Sequence, residues 1–499
     1  MSKNYIKKAK YANLSKAVGT KVNIRKEVNK AKRIAKMAAH ENKNIEATTG
    51  QVEQVETDAS LNKKATWGFL LKFSLPTMLS MLLMNTMGIV DGIFVSRLID
   101  PIALAAVGLV FPFISFALAI GFMLGVGGNA LVAKKIGEGR ALEAKQNFSM
   151  ITLVAFILSV AVSVVGIVFP DFVLNILGVD DFVRPMALEY MTPMLYFMPM
   201  IILGMVFQQF LITEGKAYII AITTMASGLT SAGLNYVFIY IMDMGLQGAA
   251  AASSIGFTIP AVVGIAYFTF MRKGNLYFIS PTFDFMALGR TCVNGASEMV
   301  TMLASSITAV LMNNVLMRLY GPEAVAASGI MFAAMGIFTA IFWGYASGVM
   351  PIISYNYGKN DTHNLKMVYK KSLWLVGIIS TISIGLAWLF TNPFIWIYEI
   401  PVYIPMHNMA FRGIRIMALS FTLMGFNAFA SMWFTALNNG VVSSLLSFFR
   451  TLVFTAIAFT IMPEIFGLDG AWAAIPVVEI VSISMTITAF KLMKKKYRY

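Results

Sequence analysis

Asp91 is the residue of this chain whose chemistry most needs an explanation. It lies inside an apolar run that begins near Phe73-Ser-Leu-Pro76 and continues past Gly88 toward Arg97. A run of about 20 apolar residues is long enough to cross a bilayer as a helix. A carboxylate within such a helix costs about 3 kcal/mol on insertion scales. We therefore expect Asp91 to face a cavity, a polar partner, a cation or a proton.

The composition indicates a membrane protein. Hydrophobic residues make up 58% of the 499 residues, and charged residues only 13%, about half the charged fraction of an average soluble domain. Backbone polar groups must be satisfied internally within lipid, which favours helices for a chain of this kind. The sequence therefore predicts an all-α membrane protein that crosses the bilayer several times.

The residue types that usually hold cofactors are scarce. Cys292 is the only cysteine, which excludes an internal disulfide and a multi-thiolate metal or iron–sulfur site. The three histidines, His40, His363 and His407, are far apart, so their spacing predicts no metal cluster. No glycine loop for phosphate and no nucleophile elbow is found. We expect no cofactor, no metal centre and no enzymatic activity.

The formal net charge of +15 is concentrated in particular segments. Its distribution favours the membrane surface over nucleic acid as the partner. Residues 1–64 form a basic tail with no apolar core of a secretory signal, and we expect a disordered cytoplasmic segment. A short basic amphipathic helix is the alternative, because Ile24, Val28 and Ala31 recur at helical spacing.

Twelve hydrophobic segments follow this tail, and each is long enough to cross a membrane. They lie near residues 69–95, 102–133, 148–169, 188–212, 217–241, 246–270, 288–317, 324–350, 372–390, 408–437, 441–462 and 469–490.

Lysine and arginine in the short loops predict the orientation, because positive loops stay in the cytoplasm. Alternate connections carry the basic clusters Lys134 to Lys145, Arg272 to Arg290 and Lys359 to Lys371, whereas the opposite loops are mainly acidic. Both termini are therefore predicted to be cytoplasmic, in agreement with an even number of spans. The plasma membrane is the expected location.

An internal repeat divides the chain into two halves. Pro101-Ile-Ala-Leu-Ala-Ala-Val-Gly108 matches Pro322-Glu-Ala-Val-Ala-Ala-Ser-Gly329. The same offset pairs Gly127 with Gly348 and Gly137 with Gly358. Two six-helix lobes in the same orientation follow, related by a pseudo-two-fold axis along the membrane normal. The predicted bounds are 65–271 and 288–499, joined by a cytoplasmic linker at 272–287.

At this point the chain resembles the multidrug and toxic compound extrusion (MATE) family, and most closely its bacterial multidrug efflux branch. The resemblance rests on Phe73-Ser-Leu-Pro76 with Asp91, on Gly348-Val-Met-Pro-Ile-Ile-Ser-Tyr-Asn-Tyr-Gly358, and on paired Gly-Leu-x-Gly-Ala openings of the sixth and twelfth spans. It covers roughly residues 66–491. It implies export of drugs or organic cations in exchange for protons or sodium, with the two lobes rocking to alternate access.

The resemblance also implies a coupling site in the N-terminal lobe. Many members combine an acidic residue of the first helix, an Asn and an Asp one turn apart in the fifth, and a hydroxyl in the sixth. Asp91, Asn235 and Ser253 match three of these positions, but Ile239 occupies the place of the second acid. A hard cation prefers several oxygen ligands with charge compensation, so the single carboxylate favours a proton over sodium. The alternative is that Asp91 is a solvated carboxylate at a helix end.

The C-terminal half carries its own intramembrane charges, among them Glu298, Arg450 and Glu479. Counting along their helices places Arg450 and Glu479 each about 14 Å from opposite faces, near the midplane. A pair between them is a hypothesis that the sequence alone does not decide. A structural salt bridge and a coupling site are both open interpretations.

The substrate cavity is less well indicated. Flexible methionine and aromatic side chains suit a site that accepts varied apolar cations, although most such residues serve as packing. The weak candidates are Met84, Met87, Met198, Met205 and Phe207. A lipid-linked sugar flippase is the alternative function, but it requires a strongly cationic cavity, and few basic residues lie inside the spans. We expect small-molecule drugs or organic cations, the bilayer and no nucleic acid as partners, and a monomer.

Overall fold

The computed structural model describes residues 61–99, 101–272, 274–398 and 404–499. Within these ranges the regular secondary structure is entirely helical. The amphipathic helix considered around Ile24 to Ala31, and His40, lie outside the described residues. Their interpretation stays a prediction.

From residue 61 onward, the described part of the first half contains seven helices, of which one is short. They are α1 (Trp67–Leu98), α2 (Pro101–Gly137), α3 (Ala141–Val168), the short α4 (Pro170–Ile176), α5 (Arg184–Thr213), α6 (Ala217–Asn235) and α7 (Gly245–Phe270). A π-helical turn, Tyr236–Ile241, continues α6.

The second half repeats this order with additional breaks. Its helices are α8 (Phe285–Tyr320), α9 (Pro322–Gly358), α10 (Thr362–Leu389), the short α11 (Thr391–Tyr398), α12 (Ile404–Met417), α13 (Phe421–Ala436), α14 (Gly440–Phe448) and α15 (Thr455–Tyr497). A 3₁₀ turn at Ala418–Ser420 joins α12 to α13, and a π-helical turn at Phe449–Phe454 joins α14 to α15.

The number of crossings depends on a break inside α15. The helical stretch Gly440–Tyr497 has 58 residues, or about 87 Å at 1.5 Å per residue, far longer than one bilayer core. Gly467 interrupts it with φ 66° and ψ −150°, a conformation that favours glycine. The described residues contain ten further long apolar helices, so they cross twelve times and the prediction is confirmed.

The two lobes meet through glycines whose missing side chains allow backbones to touch. A Cβ atom on Gly127 of α2 would lie 2.0 Å from the Thr291 carbonyl of α8, and one on Gly295 would lie 1.8 Å from the Met123 carbonyl of α2. A Cβ on Gly348 of α9 would lie 2.4 Å from Thr77 Oγ1 of α1. Small residues allow this close approach in membrane helices, and the first and third contacts are related by the sequence repeat.

The junction is tight at the ends of α2 and α9 that carry the basic residues. A Cβ on Gly137 would lie 2.1 Å from the Tyr355 carbonyl, and one on Gly358 would lie 2.2 Å from the Lys134 carbonyl. By contrast, a Cβ on Gly108 of α2 or Gly329 of α9, near the other ends of the same helices, would meet no atom within 4 Å. The lobes are therefore in contact at the basic ends and not around these two glycines.

The connection between the lobes is docked on the N-terminal lobe. The side chain of Glu214, directly after α5, is 5% exposed, and its Oε2 accepts the Asn275 N–H at 3.1 Å. The Phe278 ring lies 5.1 Å from that of Phe148, and the Ile279 N–H donates to Ser149 Oγ at 3.1 Å. The segment 274–279 is thus held by hydrogen bonds and aromatic packing. α8 begins shortly after it, at Phe285.

Burial changes the ionisation of Glu214, the carboxyl group to which this connection is hydrogen-bonded. Burial raises the pKa of Glu214 to about 7, although backbone N–H groups of the linker and the positive charges of Lys216 and Lys145 oppose the rise. The carboxyl group therefore stays neutral up to a higher pH in the docked arrangement than it would in water.

The residues before α1 pack on the other lobe. Leu61 is 1% exposed, the Ala65 N–H donates to Asn364 Oδ1 at 2.8 Å, and Lys371 Nζ donates to the Ala65 carbonyl at 2.5 Å. The last residues of the predicted tail, 61–64, are therefore part of the packed structure at this junction.

Candidate functional site

Asp91 lies in the second half of α1, where three polar side chains converge on its carboxylate. The Asn235 amide nitrogen donates to Asp91 Oδ1 at 2.8 Å, and the Ser231 hydroxyl donates to the same oxygen at 3.0 Å. Ser253 of α7 donates to Oδ2 at 2.9 Å. Hydrogen bonds to charged groups are among the stronger ones. The three helices α1, α6 and α7 thus form one anion-binding pocket around a single carboxylate.

The structure brings together Asp91, Asn235 and Ser253, the three residues chosen from the sequence, and adds Ser231. Ser231 precedes Asn235 by one helical turn, so both side chains lie on the same face of α6. That spacing is visible in the sequence. Serine is so common in membrane helices that the spacing alone did not single it out.

An apolar cluster around Ile239 lies about one helical turn from the pocket, because Val95 follows Asp91 by four residues and Ala249 precedes Ser253 by four. Ile239 is 4% exposed and packs with Val95, Ala106, Leu246 and Ala249. It lies in the π-helical turn that begins directly after Asn235, and such turns are frequent at functional sites. Apolar side chains therefore occupy the region around Ile239.

The polar side chains of the pocket present hydrogen-bond donors to the carboxylate of Asp91. Asn235 turns its nitrogen toward Asp91, while its own Oδ1 is buried and has no hydrogen-bond partner among the described residues. The two serine hydroxyls likewise point their donors at the carboxylate. Sodium would instead require oxygen lone pairs converging on one point. The described arrangement instead holds one carboxylate within three hydrogen-bond donors.

The C-terminal lobe contains an ion pair between Arg450 and Glu479. Arg450 Nε and Nη2 donate to Glu479 Oε1 at 2.9 and 2.8 Å, and the Asn427 amide donates to Oε2 at 2.6 Å. The Thr486 hydroxyl then donates to Asn427 Oδ1 at 2.7 Å. Every charge in this group has a partner, which a buried ion pair needs to offset its desolvation.

Glu298 lies apart from that ion pair. It is 5% exposed, and its Oε1 has no hydrogen-bond partner among the described residues. Thr291, Gly295 and Glu298 are separated by four and then three residues along α8. Glu298 therefore lies on the helix face that contacts α2. The lobe junction therefore holds a buried carboxyl group.

The five cavity candidates divide into two groups. Met84, Met87 and Met205 line a small polar-edged cavity of about 20 Å³ between α1, α5, α6 and α7, room for about one water molecule. Met198 and Phe207 instead lie in the core of the N-terminal lobe, 0% and 1% exposed. That any of the five contacts a substrate stays a prediction. The burial of Met198 and Phe207 gives it no support for those two residues.

Comparison with known proteins agrees with this architecture. The family model MatE matches residues 76–241 and 298–460, more than half of the chain. The multidrug export protein MepA of Staphylococcus saprophyticus is 23% identical over 436 residues, covering 86% of this chain and 95% of that protein. MepA of Staphylococcus haemolyticus is 24% identical over 434 residues, covering 85% and 92%.

Two solved structures show the same fold. The outward-facing conformation of a multidrug resistance MATE family transporter superposes with a TM-score of 0.83 at 21% identity, covering 88% of this chain and 98% of that one. A MATE in complex with MaL6 gives a TM-score of 0.82 at 21% identity and the same coverage. The predicted fold class of an all-α membrane protein with two six-helix bundles is therefore confirmed. On the family match, the chain belongs to the MatE family of membrane transporters, as its sequence resemblance indicated, and is not an enzyme.

Proposed function

We propose that this transporter exports amphipathic organic cations in exchange for protons, by alternating access between its two lobes, in the plasma membrane with both termini in the cytoplasm. The similarity to the multidrug export proteins MepA supports drugs as the exported substrates. The proton as the coupling ion is supported by residues of this chain.

The observation that carries the proposal is the single carboxylate of Asp91 among three hydrogen-bond donors. Those donors stabilise the carboxylate while it is charged, and a proton can replace their contribution when the carboxyl becomes neutral. The apolar cluster around Ile239 limits hydration beside it. A carboxyl group whose surroundings alternate between wet and dry binds and releases a proton, and a single carboxylate gives a hard cation less charge compensation than two acids would.

α1 connects this site to the lobe junction. Asp91 lies in the second half of the helix, while Ser74 and Thr77 in its first half contact α9 of the other lobe, and the Thr77 hydroxyl donates to the Gly344 carbonyl at 2.7 Å. Pro76 interrupts the hydrogen-bond ladder of α1 beside these contacts. A change of protonation at Asp91 therefore acts on a helix that also forms part of the junction.

The test is dye efflux from proteoliposomes under separately imposed gradients. With ethidium as the substrate, we expect a proton gradient to drive transport and a sodium gradient at equal pH to drive none. Asp91→Asn keeps the shape of the side chain, and rotated serine hydroxyls can still bond to it, so the variant should fold and still bind ethidium but lose uphill transport.

Asp171→Asn provides the matched control. Asp171 pairs with Arg184 at 2.9 Å and its side chain is 75% exposed, so its replacement should leave transport unchanged. Normal proton-driven efflux by Asp91→Asn, or efflux driven by sodium alone, would contradict the proposed coupling.

A lipid-linked sugar flippase receives little support. Arg450, a partly buried basic side chain of the C-terminal lobe, is already neutralised by Glu479. The buried Lys135 and Lys145 lie at the adjoining ends of α2 and α3 rather than in a central cavity. Among the described residues, the strongly cationic cavity expected of such a flippase is therefore not found.

A further inference from the structure

An apolar groove runs along the outer side of the C-terminal lobe, between α10 and the helices α13 and α15. Two open pockets of about 480 and 570 Å³ adjoin each other at Leu373 and Phe426, which line both. Along α10 the groove extends from Tyr369 to Ile382, which is about 20 Å at 1.5 Å per residue. One leaflet of the hydrocarbon core is about 15 Å thick, so the groove is long enough for an acyl chain.

The groove has one charged end. Lys491 and Lys494 line its mouth, one turn apart near the end of α15, and both are exposed. Neither ammonium group pairs with a carboxylate in the part of the chain that the structure describes. The mouth therefore presents two positive charges beside an otherwise apolar surface.

Packed aromatic side chains form the wall beneath these lysines. The Tyr499 ring lies 4.9 Å from Tyr369 and 5.3 Å from Trp433, and its hydroxyl donates to the Phe490 carbonyl at 3.0 Å. Farther along, the rim residues Trp374 and Ile378 are 69% and 49% exposed. The groove is therefore a preformed surface that opens sideways, toward lipid.

We propose that this groove is a binding site for an anionic phospholipid, with the phosphate headgroup at Lys491 and Lys494 and one acyl chain along Leu373, Phe426 and Gly377. Basic pockets between membrane helices hold such headgroups by charge, and juxtamembrane lysines attract anionic lipids. The same two charges repel an organic cation, so the groove is not part of the route for the proposed substrates. The site is independent of the proposed coupling at Asp91.

The experiment titrates the purified full-length protein with phosphatidylglycerol or phosphatidylcholine of identical acyl chains and counts bound lipids by native mass spectrometry. We expect selective binding of phosphatidylglycerol, and about 30-fold weaker binding in Lys491→Gln/Lys494→Gln, since each lysine near the surface contributes about 1 kcal/mol. Lys495→Gln/Lys496→Gln changes the charge by the same amount on the same helix and should bind as the unaltered protein does.

A second variant tests the acyl-chain part of the groove. Thr381 lines its far end, so Thr381→Trp should fill the space and weaken binding while leaving the lysines in place. Glycerol phosphate, which has the headgroup charge but no acyl chain, should fail to compete. Equal binding of the two lipids, equal loss in the two lysine pairs, full binding by Thr381→Trp, or competition by glycerol phosphate would each overturn the proposal.

Discussion

Replacing Glu214 by Gln should remove the pH dependence with which the inter-lobe linker is held on the N-terminal lobe. Glu214 is buried against the linker and accepts the Asn275 N–H. Gln keeps an acceptor oxygen and nearly the same volume, but it cannot become charged. The variant therefore isolates the effect of ionisation on docking.

The size of the effect follows from the difference between the docked and free pKa of Glu214. Burial raises that pKa from 4.5 to about 7. Between these two pH values the docked state therefore binds more protons than the open state. The contribution of Glu214 to the free energy of docking is complete below pH 4.5 and is lost as the pH rises through 7. This pKa difference corresponds to about 3 kcal/mol of docking free energy in total. About 1.3 kcal/mol of it is lost between pH 6 and pH 8, which is about tenfold in the opening equilibrium.

Amide hydrogen exchange of residues 274–279, followed by mass spectrometry, measures this opening. The intrinsic exchange rate also changes with pH, but it is almost the same in both proteins, so their ratio reports the opening alone. The exchange rate of the unaltered protein relative to Glu214→Gln should rise about tenfold from pH 6 to pH 8. Glu138→Gln, which changes a carboxylate in the loop between α2 and α3, should behave as the unaltered protein does. A ratio independent of pH would refute the reasoning.

Two further predictions concern the C-terminal lobe and the lobe junction. Arg450→Met should lower stability by about 3–5 kcal/mol because Glu479 would remain buried and unpaired, whereas Arg450→Met/Glu479→Leu should restore most of it. Thermal melting in detergent compares them, and equal loss in both would contradict a role of charge pairing. Gly295→Ala should force the lobes apart at α2, because its Cβ would lie 1.8 Å from a carbonyl oxygen. Maleimide labelling of Cys292, the only cysteine, should then be faster, while Gly329→Ala, which meets no atom within 4 Å, should leave the rate unchanged. Unaltered labelling of Gly295→Ala would show that the junction does not need this contact.

The sequence predicted most of the architecture because membrane insertion imposes simple rules. A length of apolar residues is a direct measure of a crossing, so the twelve spans and their repeat could be counted before any contact was known. Gly127 and Gly348 illustrate the strength of the repeat, since both lie at backbone contacts between the lobes. Helix ends were less certain. α10 begins at Thr362, ten residues before the predicted segment, because Asp361 accepts the Asn364 N–H as an N-terminal cap.

The site was only partly predictable. Asp91 could be identified from the energetic cost of a carboxylate in lipid, and Asn235 and Ser253 came from the family resemblance. Ser231 was missed, although it donates to the same carboxylate at 3.0 Å. Of the cavity candidates, Met198 and Phe207 are 0% and 1% exposed in the lobe core, and their place as substrate contacts stays a prediction.

The sequence by itself determined which residues must enter the membrane and how many times the chain crosses it. It also indicated that Asp91 needs polar partners. Only the tertiary structure decided which partners each polar group has. Spacing along a helix defines the face on which a side chain lies, but not the rotation and tilt of the neighbouring helix that meets it. The pairing of Arg450 with Glu479, the docking of the linker on Glu214 and the lysine-ended groove on α10 and α15 all depend on those rotations.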